Sequence, residues 1–139
     1  MDIGDVRKRV IQTIDYAKRR AAERRSHTDE GSRAYDLFLE RTAVPLFRQI
    51  ANVLRAESYA FNVFTPSGSV RLMSDRHAED FIEIVLDATG GTPQVVGHVS
   101  RSRGRRVDES ERALGEPAAL TEAALLDFVL EELEPFVER

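Results

Sequence analysis

At 139 residues, with 42% hydrophobic and 32% charged side chains, the chain has the composition of one ordinary globular domain spanning residues 1–139, not of a disordered segment. It has no cysteine, which excludes disulfides, thiolate metal ligands and a cysteine nucleophile. No apolar run approaches the roughly 18 residues that a membrane helix needs. Met1 to Val10 carries charges where a signal peptide would be apolar, so the cytoplasm is the expected compartment.

Charge is segregated along the chain. Residues 1–55 hold 12 basic and 8 acidic side chains, residues 56–106 hold six of each, and residues 107–139 hold two and ten. Apart from Lys8 and Lys18, every basic residue is an arginine, the side chain better suited to bidentate contacts with phosphate or carboxylate.

Ile3, Val6, Val10, Ile14, Ala17 and Ala21 recur at spacings of three and four, which predicts an amphipathic helix over about residues 2–25. Its other faces are basic. Asp5 with Arg9 and Asp15 with Arg19 stand in the favourable acid-first order, each pair worth a few tenths of a kcal/mol. Ser26 to Ser32, with Asp29 and Gly31, predicts a loop. A second, broader apolar stripe (Leu37, Val44, Phe47, Ala51 and Leu54, widened by Phe38, Leu46 and Ile50) predicts a central helix over about residues 33–56. Pro45 predicts a break or kink just before it.

From Ser58 the period falls to two. Tyr59–Thr65, Val70–Met73, Phe81–Ala88 and Gln94–Arg103 read as four strands joined by short connections, an antiparallel meander. Residues 104–120 read as a long polar connection with a short helix around Ser110–Leu114. Thr121 is the expected N-cap of a last helix, whose buried stripe is Leu125, Phe128, Val129, Leu133 and Phe136, with its end disturbed by Pro135. The predicted fold is therefore α+β: a four-stranded antiparallel meander packed by a long central helix and a C-terminal helix, with a basic amphipathic helix alongside, in the order α-α-β-β-β-β-α.

Five groups of residues could carry function. Arg101, Arg103, Arg105 and Arg106 make a basic edge. If the strand continued, three of these charges would line up over roughly 14 Å and could grip phosphates or an acidic protein. The acids of residues 107–139 could equally neutralise them. The first helix is basic but has no companion recognition helix, and the net charge of −4 weakens attraction to a polyanion, so nucleic acid is not the expected partner. Asp75, His77 and Glu79 alternate but lack a second, distant ligand group, so no metal or cofactor is assigned. Ser74, Asp75 and His77 belong to one loop, where a catalytic triad rarely assembles, and there is no nucleophile elbow. No catalytic residue is assigned.

The fifth group is the sheet. A register setting Val70 and Leu72 against Ile82 and Ile84 places Arg71 opposite Glu83. Met73, Phe81 and Val85 then share the face of Arg71, joined by Phe64 and Val96 in some registers. Such a face is either covered by a further helix, the favoured arrangement with three helices available, or is a partner surface with an apolar centre and a charged rim.

In size, charge and element order the chain is similar to small acidic interaction modules of the secretion-chaperone type, without any residue motif to transfer. The expected function is a non-enzymatic protein-interaction or regulatory module, self-associating as a homodimer. Its expected contacts are Arg71, Met73 and Val85 on the sheet, the Arg101–Arg106 edge, and Asp127, Glu131, Glu134 and Glu138 on the last helix. The alternatives are an apolar ligand pocket lined by Tyr59, Phe61, Phe64 and Phe81 with His98 at its mouth, and nucleic-acid binding through the arginine edge.

Overall fold

Asp2 starts the first helix by accepting a hydrogen bond from the Gly4 amide, and the helix, α1, then runs from Ile3 to Phe38. The structure, a computed structural model, describes residues 1–138. The loop expected at Ser26–Ser32 is helical. Gly31 explains why: a Cβ there would stand 2.6 Å from Pro93 Cγ. The residue that reads as a breaker is the one that lets the helix approach the loop before the fourth strand. Its backbone cost of about 1 kcal/mol relative to alanine is offset by that packing.

Nor does the chain break before Pro45. A π-helical turn, Leu39–Ala43, leads directly into α2, Val44–Ala56, with Pro45 in the first turn of α2. A proline lacks an amide donor and crowds the preceding turn, and widening that turn accommodates both. Leu46, Phe47, Ile50, Ala51 and Leu54 form the buried stripe of α2.

Five strands follow: β1 (Phe61–Phe64), β2 (Val70–Ser74), β3 (Phe81–Asp87), β4 (Gln94–Arg103) and β5 (Arg106–Gly115), paired antiparallel in the order β1-β2-β3-β4-β5. The meander thus has five strands, not four. β5 occupies the stretch expected to be a polar connection and short helix. Gly104 (φ 64°) and Arg105 close the β4–β5 hairpin in two residues, with glycine first, as a type II′ turn requires. Thr121 then caps α3 (Glu122–Val137), accepting from the Ala124 amide at 3.1 Å, and Pro135 lies within its last turn.

α2, α3 and the C-terminal end of α1 pack on one side of the sheet. Val70, Leu72, Ile82, Ile84, Val95 and Val99 join Tyr35 and Phe38 of α1, the α2 stripe, and Leu125, Phe128, Val129 and Phe136 of α3 in one core. Phe128 sits over Gly97, where a Cβ would meet the ring at 2.2 Å. Arg112 of β5 lies 4.9 Å from the centre of the same ring and bonds Glu131 at 2.8 Å, tying the edge strand to α3.

Candidate functional site

β2 and β3 pair in the register expected, Val70 with Ile84, Arg71 with Glu83, Leu72 with Ile82 and Met73 with Phe81. Alternation along a strand sends neighbouring side chains to opposite faces, so Met73, Phe81, Glu83 and Val85 point away from the helices. The β3–β4 register adds Val96 beside Val85 and His98 beside Glu83, and β1 adds Phe64 beside Arg71. None of Phe64, Met73, Phe81, Val85 and Val96 joins the core. The helix expected over part of this face is absent among the described residues: α2, α3 and the C-terminal end of α1 pack on the other side, and the rest of α1 is exposed.

Glu83 is the centre of this open face. Its Oε2 accepts from Arg71 Nε at 3.0 Å and from Ser69 Oγ at 3.3 Å, while its Oε1 lies 3.7 Å from His98 Nδ1. His98 Nε2 is in turn 3.8 Å from Glu109 on β5. The Arg71 guanidinium stacks 4.0 Å from the centre of the Phe81 ring, and the His98 ring meets Phe81 edge-on at 5.3 Å. Glu83 is only 6% exposed. A carboxylate that far from water needs its charge matched and its lone pairs occupied; Arg71 supplies the charge, Arg71 and Ser69 bond Oε2, and His98 lies beside Oε1. The result is a rigid polar node set in an apolar strip.

Influence crosses the sheet as well. The Tyr35 hydroxyl donates to the Gly68 carbonyl at 2.8 Å, and its pKa is held well above the usual tyrosine value, by burial first, then by the charges of Glu83 and Asp36.

Met73, Val85 and Arg71 thus share one surface. The arginine edge does not join it. The hairpin reverses the chain after Arg103, which pairs with Arg106, so Arg105 sits in the turn and the expected line of three charges is not formed. Arg101 stands opposite Asp108 in the register, and Asp108 bridges Arg103 at 3.4 Å and Arg106 at 3.3 Å. Arg101 and Arg103 line a cleft with Pro135 of α3 and Glu138, which follows it, on the helical side. Asp127, Glu131 and Glu134 are exposed on α3, with Glu131 engaged by Arg112.

The aromatic pocket is not assembled. Phe61 packs into the core against Phe136 at 6.0 Å, and Tyr59 and Phe61 border a cleft with His77 and Asp80. Phe64, Phe81 and His98 lie on the other face of the sheet. In the β2–β3 loop the Asp80 amide bonds the His77 carbonyl at 3.0 Å, which curls the segment that would have to be extended for Asp75, His77 and Glu79 to converge. Among the described residues no three His, Asp or Glu side chains are grouped to hold a metal, and no helix is long and apolar enough to cross a membrane.

Glu109, Glu111 and Val107 escaped the sequence reading because β5 did. Their signal was Gly104-Arg105, a glycine-first pair of hairpin length between two polar, charged stretches. Compared with protein-family models, curated proteins and solved structures, the chain matches none.

Proposed function

We propose that this chain is a one-domain, non-enzymatic protein-interaction module of the cytoplasm that works through the open face of its sheet and forms a homodimer there. One observation carries the reading: half-buried Met73, Val85 and Val96 form an apolar strip outside the core, beside Phe81, itself buried beneath Arg71 and His98, and framed by Arg71, Glu83, His98 and Glu109. An apolar centre inside a polar rim is the anatomy of a protein interface. The fixed node at Glu83 would supply orientation, since a matched charge pair gives specificity more than raw affinity.

The arginine edge is secondary in this reading, because Asp108 already pairs with two of its guanidinium groups, those of Arg103 and Arg106. The test is capture of untagged chain by tagged chain, alongside partners from native lysate, for the wild type, Val85→Glu with Val96→Glu, and Arg103→Glu with Arg105→Glu. The sheet variant is expected to lose self-capture and any stoichiometric partner, and the arginine variant to keep them. Retention of every partner by the sheet variant would remove the open face from the function.

A further inference from the structure

The first 20 residues of the chain are exposed without exception, and apart from half-buried Ala21 this continues to His27. Ile3 is 85% exposed, Val10 51% and Ile14 46%, yet with Val6, Ala17 and Ala21 they form the apolar stripe of an amphipathic helix. α1 is anchored only near its C-terminal end, where Gly31 meets Pro93 and Tyr35 and Phe38 enter the core. Because the helix is unbroken, its N-terminal part projects from that anchor and cannot fold back over its own sheet. The chain therefore carries two unpartnered apolar surfaces, a projecting helix stripe and an open sheet face.

Three properties match the two surfaces to each other. The first is charge. Residues 1–26 carry eight basic and four acidic side chains, whereas the open face carries Glu83, Asp87, Glu109 and Glu111 against Arg71, plus His98. Pairing two α1 helices would set like charge on like charge; laying α1 on the sheet sets opposite charges together. The second is length. Residues 3–24 of an α-helix span about 33 Å, and the ten residues of β4 also span about 33 Å. The third is shape: Ala17 and Ala21 keep one stretch of the stripe low, so that the helix could settle closely on the strip of Met73, Val85 and Val96.

We infer that α1 of one copy docks across the open sheet face of a second copy, and that the exchange is reciprocal. Each chain offers one helix and one face, so mutual exchange closes on a two-fold axis and leaves no free surface to propagate a fibre. This inference rests on the open face being an interface, and it names the partner: residues 3–24 of a second copy of this chain.

The experiment uses the full chain and measures mass by light scattering after size exclusion. Wild type is expected to be a dimer that loosens as salt is raised. A helix variant, Val10→Glu with Ile14→Glu, changes only exposed positions and is expected to be monomeric with unchanged melting of the body. A sheet variant, Val85→Glu with Val96→Glu, is also expected to be monomeric. The charge-reversed Glu109→Arg with Glu111→Arg, at two exposed sites, provides a second reading if the sheet variant does not fold. Mixing the helix and sheet variants should restore a dimer, because each supplies the element the other lacks.

A monomeric wild type, or a mixture that stays monomeric, overturns the inference. A helix variant that still dimerises while the sheet variant does not would also overturn it, in favour of sheet-on-sheet contact, and would leave the broader interface reading standing. Two sheet variants that both dimerise would overturn both readings.

Discussion

Ile82 and Ile84 of β3 are sealed from solvent, with both side chains at 0% exposure beneath the helices, whereas Phe81, Glu83 and Val85 on the same strand face the side without a helix. One strand thus serves two environments, and the difference separates what folds the chain from what remains for a partner. On the helical face the positions at the centre of the sheet are apolar or glycine, from Val70 and Leu72 through Ile82, Ile84 and Gly97 to Val99, because a polar group there would lose water without gaining a partner. On the open face a carboxylate is held almost as deep, but only because Arg71, Ser69 and His98 surround it. The first arrangement is non-directional and gives stability. The second is directional and gives a fixed pattern of charge.

The contrast breaks most visibly at Phe128, which is 2% exposed and fills the space over Gly97. Phe128→Ala is expected to cost about 3–5 kcal/mol, the loss for a core aromatic whose cavity cannot close, read as a fall in the denaturant midpoint. Val85→Ala on the other face, half-buried and outside the core, should cost under about 1 kcal/mol. Comparable losses at both positions would mean that the open face is also a folding surface.

A smaller effect sharpens the same point. Gly97 lies on the helical face with a backbone close enough to Phe128 that any Cβ would overlap the ring. Gly97→Ala is therefore expected to destabilise by about 1–3 kcal/mol through overpacking. The cost should largely vanish in the double variant with Phe128→Leu, which relieves the contact. An additive double variant would show that the strain lies elsewhere.

Legibility in the sequence follows the same division between faces. The β2–β3 register could be read because Val70, Leu72, Ile82 and Ile84 must all face inward, and a slip by one residue would turn them out. That constraint alone put Arg71 opposite Glu83 and Met73 and Val85 on one surface. The last helix could be read because its stripe is buried and Thr121 caps it. β5 could not, since it is an edge strand exposed along nearly all its length, and an exposed edge is free to carry the charges that discourage further pairing. Without β5, Glu109 has no place beside His98, and the arginines read as running on along one strand. The continuity of α1 failed for another reason: the use of Gly31 against Pro93 is a contact between residues distant in sequence, and no local pattern records it. The open face itself was ambiguous because helix count does not say which side of a sheet the helices take.

The smallest effect tests whether the two faces communicate. Tyr35 belongs to the helical side, yet Glu83 on the open side is among the causes that raise its pKa, after burial and ahead of Asp36. A raised value in the fold means that the folded chain keeps the phenolic proton at a pH where the unfolded chain, with its value near about 10, has released it. The resulting stability is complete below that unfolded value and is lost as pH rises above it towards the folded one. Tyr35→Phe removes the hydrogen bond to the Gly68 carbonyl, which should cost about 1 kcal/mol at neutral pH, and it also removes the titration. The variant's stability should therefore fall less steeply than that of the wild type above about pH 10, with the two curves converging. Glu83→Gln should produce a weaker flattening while leaving the tyrosine hydroxyl in place, because burial, the larger cause, persists. If Glu83→Gln leaves the alkaline limb unchanged, the charge at the centre of the open face is not felt beneath the sheet, and the node acts only on what binds above it.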